Sequence, residues 1–110
     1  MKKLKIALIQ HDAKTPDIEQ NTITAKKLIR EASTNGADLV LFPECFLTAY
    51  TAPDICGKLL PVQEIENSPE FIKWCENALT EEEGHFVQIK NLAAELNTGV
   101  VITGFSKGKK

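Results

Sequence analysis

The amino-acid sequence predicts an α/β fold in the order strand, helix, strand, loop, helix, helix, strand. Three short segments, at 3–10, 38–42 and 100–105, are rich in apolar residues on both alternating faces, which is typical of the strands of a parallel sheet. Between them lie segments whose apolar residues recur every three or four positions, as in helices that bury one side. These two periodicities together define the fold class.

The first strand is predicted over Lys3–Gln10 and is followed by an amphipathic helix. Pro16 is suited to the first turn of this helix, and Asp17 with Gln20 could form a capping box. The two patterns do not decide between them which residue is the N-cap. Asn35-Gly36 marks the end of this helix. Its buried stripe is predicted to contain Ile18, Thr22, Ala25, Leu28, Ile29 and Ala32. The strands on either side of the helix are expected to be parallel, with a right-handed crossover.

The second strand runs directly into Pro43 and Glu44. Because proline lacks the N–H group that a central strand would donate, the strand is expected to end there, at the carboxyl edge of the sheet. Ligands of open α/β sheets bind beyond this edge. Glu44 is therefore a candidate functional residue by position, and a solvated loop carboxylate is the alternative.

The second half of the chain begins with a segment, 45–67, that resolves into no regular element and is interpreted as a site-forming loop. Ser68-Pro69 is a clean start signal for a second helix. A capping box at 80–83 predicts a third helix that ends at Gly99. The stripe of the third helix is predicted to contain Phe86, Ile89, Ala93 and Leu96.

The composition indicates one domain within the 110 residues, of which 43% are hydrophobic and 25% charged. The 13 basic and 15 acidic residues give a net charge of −2, so nucleic acid and anionic membranes are not expected as partners. No apolar run approaches the ~20 residues that a membrane span needs. Three cysteines without a disulfide spacing favour a reducing compartment, and a cytoplasmic location is expected.

Metal and nucleotide sites find no support in the sequence. His11 and His85 combine with the cysteines at no recognised zinc spacing. The glycines form no phosphate-binding pattern. Neither a metal nor a cofactor is therefore expected.

The three cysteines offer few catalytic arrangements. In extended backbone, consecutive side chains point to opposite faces, so Cys45 is not expected to form a nucleophile and base pair with Glu44. Cys75 lies on the apolar face of a helix and is expected to be buried. Cys56 falls in the segment 45–67, to which no regular element is assigned. A further hypothesis is a thiol redox protein that uses Cys56 and Cys75.

Five blocks of the sequence, taken together, resemble the opening third of the nitrilase superfamily, the carbon–nitrogen hydrolases. They are Lys5–Gln10, Asn21, Gly36–Glu44, Phe46–Tyr50 and Val100–Phe105, and Gly36–Glu44 (G-A-D-L-V-L-F-P-E) is the most specific. The resemblance implies an α-β-β-α sandwich of two stacked sheets, of which residues 1–110 would form a single incomplete domain. It also implies amide or nitrile substrates and a homo-oligomer in the full-length form.

The resemblance further implies a catalytic glutamate, lysine and cysteine, with Glu44 as the glutamate. Glu44 would act as general base towards a cysteine thiol, which attacks the amide or nitrile carbon to give a thioester or thioimidate, while a lysine stabilises the tetrahedral centre. Tyr50 would line the substrate pocket by analogy, and a packed loop aromatic is an equal alternative.

The sequence also departs from the family pattern. The family's lysine and cysteine blocks, which resemble R-K-x-H-L and C-Y-D-x-R-F-P, do not occur within the 110 residues, and none of the three cysteines takes the nucleophile's place. Ala49 stands where glycine is common. The chain alone is therefore expected to be inactive, and the alternative reading is a non-catalytic α/β binding or association module.

Overall fold

The computed structural model describes residues 3–14, 17–50, 64, 66–76, 78–79 and 84–106. The described elements are β1 (Ile6–Leu8), α1 (Ile18–Thr34), β2 (Leu39–Leu41), α2 (Pro69–Glu76), α3 (His85–Leu96) and β3 (Gly99–Val101). The three strands are parallel, and β2 lies between β1 and β3. The predicted α/β order, the parallel pairing and the central place of the strand before Pro43 are confirmed.

The sheet buries one face against helices. Ala7, Val40 and Val100 are paired across the three strands and point to the same side. Helices α1 and α3 pack on this side and against each other, and Val40 is fully buried beneath them. The buried residues that form this core are Ala25, Ile29, Ala32, Ala37, Val40, Phe42, Phe46, Leu47, Leu79, Ile89 and Leu92.

The opposite face of the sheet is exposed in the described part of the chain. Its apolar side chains Ile6, Leu8, Leu41 and Val101 are 47%, 67%, 38% and 44% exposed. The strands are apolar on both faces, as predicted, and within the described residues α1 and α3 cover only one of them. An apolar sheet face of this kind is the surface through which two stacked sheets pack, and we refer to Ile6, Leu8, Leu41 and Val101 as the open face.

Replacing Val40 with Thr is expected to destabilise the chain by about 2 kcal/mol, because the added hydroxyl is buried among apolar atoms. The matched control is Val101→Thr, which places the same hydroxyl on the open face and should change stability by less than about 0.5 kcal/mol. Urea unfolding of the two variants measures both costs. Equal costs would contradict the one-sided burial of the sheet.

Helix α1 begins and ends with the residues that the sequence singled out. Asp17 is its N-cap, and its carboxylate accepts a hydrogen bond of 3.0 Å from the backbone N–H of Gln20. Gly36 has a φ of 84° and follows the C-cap Asn35, so the chain turns in the left-handed region that glycine tolerates. The buried stripe matches the prediction, except that Ile18 and Leu28 are only partly buried and Asn21 is buried as well.

The second and third helices agree with the predictions in part. Ser68 caps α2 by accepting a hydrogen bond from the N–H of Phe71, as expected. The capping box at 80–83 lies outside the described residues. Helix α3 ends at Leu96, and its C-cap is Asn97, which adopts the left-handed conformation. Gly99, the predicted stop, is instead the first residue of β3. Asparagine serves here because it tolerates left-handed backbone better than most residues. Among the residues that the structure describes, no helix is long and apolar enough to cross a membrane.

The strands are shorter than predicted. The first covers Ile6–Leu8 instead of 3–10, and the last ends at Val101 instead of Phe105. Beyond Val101 the chain leaves the ladder to contact the turn after β2, and Ser106 forms an isolated parallel bridge with Leu79. Apolar periodicity predicts which residues could pair, whereas the partners present at each end decide how far pairing extends.

Candidate active site

Glu44 lies at the carboxyl edge of the sheet, where the sequence predicted it. Strand β2 ends at Leu41, Phe42 and Pro43 follow, and a turn occupies residues 44–48. The Glu44 side chain is exposed. Because all three strands are parallel, the segments that leave β1 and β3 emerge at the same edge. A ligand above this edge would therefore meet Glu44 and these two neighbouring segments.

Two non-glycine residues in and directly after the turn at 44–48 lie in the left-handed region. Cys45 has a φ of 55° and Ala49 a φ of 59°. Such a conformation costs an L-residue about 1–2 kcal/mol, so surrounding contacts must hold it in place. The expectation of extended backbone is therefore wrong at Cys45. Ala49 adopts a conformation that glycine reaches at lower cost, which explains the glycine common at this position.

The segment after β3 supplies three hydrogen bonds to this turn. The backbone N–H of Cys45 donates to the Thr103 hydroxyl at 2.9 Å, and the N–H of Leu47 donates to the Thr103 carbonyl at 3.2 Å. In the other direction, the N–H of Phe105 donates to the hydroxyl of Thr48 at 3.3 Å. Thr103 thus contacts the turn on both sides of Phe46.

Gly104 allows this close approach. A Cβ atom at this position would lie 2.9 Å from a methyl carbon of Leu79 and 3.0 Å from the methyl carbon of Thr48. Real Cβ atoms essentially never approach another atom as closely as the first of these distances. The absence of a side chain at Gly104 therefore leaves room for the Leu79 and Thr48 side chains beside the segment after β3.

Asn21 holds the same turn from helix α1. Its side chain is 2% exposed and makes three hydrogen bonds to backbone groups. The amide nitrogen donates to the carbonyls of Lys14, at 2.8 Å, and Leu47, at 3.2 Å, and the amide oxygen accepts from the N–H of Lys14 at 2.7 Å. One side chain thus joins the loop after β1 to the turn after β2.

Phe46 anchors the turn in the core. Its side chain is 1% exposed, and its ring lies 5.1 Å from that of Phe42, centroid to centroid. The ring of His11, from the segment that leaves β1, meets Phe46 edge-on at 6.3 Å. The imidazole Nδ1 of His11 donates to the carbonyl of Asp12 at 2.8 Å. His11 is therefore a polar neighbour of the turn that bears Glu44.

The other predicted candidates lie in different surroundings. Tyr50 follows the turn and is 78% exposed. Cys75 is partly exposed on α2, which corrects the expectation that it is buried. It follows Trp74, whose ring stacks on Phe105 with 4.2 Å between centroids. Cys56 lies outside the described residues.

Sequence reasoning did not assign roles to Asn21 and Thr103. A signal for Asn21 was present, since it is a polar residue within the apolar stripe of α1. Thr103 follows a parallel strand at the same edge as Glu44, and the positional rule that selected Glu44 applies to it. Among the described residues, no group of three or more histidine, cysteine, aspartate or glutamate side chains could hold a metal ion.

Comparison with known proteins points to one family. The model of the family described as carbon-nitrogen hydrolase matches residues 5–110. An arylacetonitrilase from Aspergillus niger is 33% identical over 100 residues, which cover 91% of this chain and 28% of that protein. Nitrilase 3 of Arabidopsis thaliana is 27% identical over 104 residues, covering 94% of this chain and 30% of that protein. The chain therefore spans less than a third of the length of these relatives.

A solved structure shares the fold. The amidase from Nesterenkonia sp. superposes with a TM-score of 0.57 at 22% identity, over 88% of this chain and 30% of the amidase chain. At this identity the likeness concerns the fold alone. The family match over nearly the whole chain leads to one conclusion. The chain belongs to the carbon–nitrogen hydrolase family.

Proposed function

We propose that Glu44 is the general base of a cysteine-dependent hydrolase that cleaves the carbon–nitrogen bonds of amides or nitriles. The observation that carries this proposal is the position of Glu44, which is exposed at the carboxyl edge and begins a turn whose N–H groups donate hydrogen bonds to Thr103. A carboxylate that is open to substrate yet held by a fixed backbone is suited to proton transfer. Family membership supplies the class of reaction.

The chemistry requires two groups besides Glu44. Glu44 would take the proton of a cysteine thiol as the sulfur attacks the amide or nitrile carbon. An amide would then lose ammonia or an amine to leave a thioester, whereas a nitrile would give a thioimidate. Water would hydrolyse either intermediate, and a lysine would stabilise the tetrahedral centre. The lysine and cysteine blocks of the family do not occur within residues 1–110.

The substrate proposal is an amide or a nitrile, because the Aspergillus relative is named an arylacetonitrilase and the amidase shares the fold. We further propose that Tyr50 contributes to the pocket wall, since its ring is exposed directly beyond the turn that carries Glu44. The cytoplasmic location and the homo-oligomeric full-length form stay predictions.

The test compares two polypeptides. One is the 110-residue chain, and the other, which we call the extended polypeptide, is the Aspergillus niger arylacetonitrilase in which residues 1–110 of this chain replace the matching segment. With phenylacetonitrile and phenylacetamide as substrates, ammonia release is expected from the extended polypeptide alone. Hydrolysis by the 110-residue chain that is lost on Glu44→Gln would contradict the requirement for the two further groups.

A further inference from the structure

The turn that carries Glu44 is constrained at the residue immediately after the carboxylate. Cys45 adopts left-handed backbone, with a φ of 55°, and its N–H donates to the Thr103 hydroxyl at 2.9 Å. Glu44 and Cys45, which this peptide joins, are exposed and partly exposed, so the buried anchor of the turn begins only at Phe46. A strained conformation persists only where specific contacts determine it, and the Thr103 hydroxyl is the contact that acts at Cys45 itself.

We propose that Thr103 is a positioning residue for Glu44: its hydroxyl fixes the Cys45 peptide and thereby the direction in which the Glu44 carboxylate projects. The peptide bond in question joins Glu44 to Cys45. If it rotated, the Glu44 carboxylate would move away from the carboxyl edge of the sheet. A general base must lie within hydrogen-bond reach of the proton that it takes, and small displacements lower the rate strongly. The inference rests on the proposed function of Glu44.

Other contacts to the turn are less specific to Glu44. The Thr103 carbonyl binds Leu47, two residues further along, and survives any change of the Thr103 side chain. The Thr48 hydroxyl accepts from Phe105 and donates to the carbonyl of Ala49, but Thr48 is fully buried, so changing it would disturb packing. Thr103 is exposed, and its hydroxyl can be removed with little effect on the core.

The test uses Thr103→Val, which keeps the shape and removes the hydroxyl, and Thr103→Ser, which keeps the hydroxyl. Thr34→Val is the matched control, because the exposed Thr34 also makes a 2.9 Å hydrogen bond, to the carbonyl of Arg30, far along the chain from Glu44. Amide hydrogen exchange and the carboxyl chemical shift of Glu44 are measured by NMR on the 110-residue chain.

Thr103→Val is expected to raise the exchange rate of the Cys45 amide about tenfold and to change the Glu44 carboxyl signal, because the loss of one such hydrogen bond is of this order. Thr103→Ser should restore both, and Thr34→Val should alter neither. Unchanged Cys45 exchange in Thr103→Val would overturn the proposal. So would a uniform increase across β1–β3, which would indicate general destabilisation, or a serine variant that behaves like the valine variant.

Kinetics of the extended polypeptide separate this inference from the proposed function. Thr103→Val should lower kcat about tenfold with KM nearly unchanged, and Thr103→Ser should stay within about twofold of the parent. A loss confined to KM would overturn the positioning role. If Glu44→Gln leaves hydrolysis intact, the proposed function fails, whereas the Cys45 exchange data still decide whether the Thr103 hydroxyl holds the turn.

Discussion

Replacing Glu44 with Gln is expected to lower kcat for amide or nitrile hydrolysis by about 10³-fold in the extended polypeptide, within the range that general bases contribute. Glutamine has nearly the same size as glutamate but cannot accept the thiol proton. Because the Glu44 side chain is exposed and the hydrogen bonds of the turn come from other residues, the folded state should be unaffected. KM should therefore change much less than kcat.

The control for this variant is Glu95→Gln, which makes the same chemical change at an exposed glutamate of α3. Its kcat should match that of the parent, and neither variant should shift the urea midpoint of unfolding by an amount worth more than about 0.5 kcal/mol. Steady-state ammonia release measures kcat. A Glu44→Gln enzyme that keeps a tenth or more of the parent rate would remove Glu44 from the role of base.

The sequence could predict the parts of the fold that local patterns determine. Apolar runs and helical spacing gave the order of elements, and Pro43 gave the end of β2. The position after this strand selected Glu44 as a candidate, and the resemblance then implied its role as general base. Asparagine-glycine at 35–36 likewise marked the end of α1, because the requirement for left-handed backbone is a property of the local chain.

The features that the sequence did not reveal depend on contacts between distant residues. Cys45 and Thr103 are 58 positions apart, and no local pattern connects them. The open face of the sheet has the same alternation of apolar residues as the buried face, so periodicity cannot tell which one the helices cover. The length of each strand also depends on partners, since the segment after Val101 binds the turn instead of extending the ladder.

Asn21→Ala is expected to be the most destabilising of the substitutions proposed here, at about 3 kcal/mol. Its amide group satisfies the N–H and carbonyl of Lys14 and the carbonyl of Leu47. Alanine would leave these backbone groups without their side-chain partner in a region that water reaches poorly, and each unsatisfied buried group costs about 1–3 kcal/mol. The expected total of about 3 kcal/mol is near the lower end of this range for three groups, because Lys14 is exposed and its backbone groups can form hydrogen bonds to water instead.

Asn35→Ala provides the comparison, since Asn35 is the exposed C-cap of the same helix. Its side-chain amide donates one hydrogen bond of 3.0 Å, to the carbonyl of Glu31. Its loss should cost less than about 1 kcal/mol because water replaces the partner. Urea unfolding at 25 °C measures both values. A difference below about 1 kcal/mol between the two variants would show that the buried amide does not tie the loop to the turn.

Asn21→Ala is also expected to disturb the carboxyl edge of the sheet, which carries Glu44. Leu47 is held by Asn21 on one side and by the Thr103 carbonyl on the other, so removing the amide leaves the Leu47 backbone bonded only to the segment after β3. In the extended polypeptide, kcat should therefore fall even under conditions where the variant is fully folded, whereas Asn35→Ala should retain the parent rate. A folded Asn21→Ala enzyme with unchanged kcat would mean that Thr103 and the buried Phe46 suffice to hold Glu44 in place.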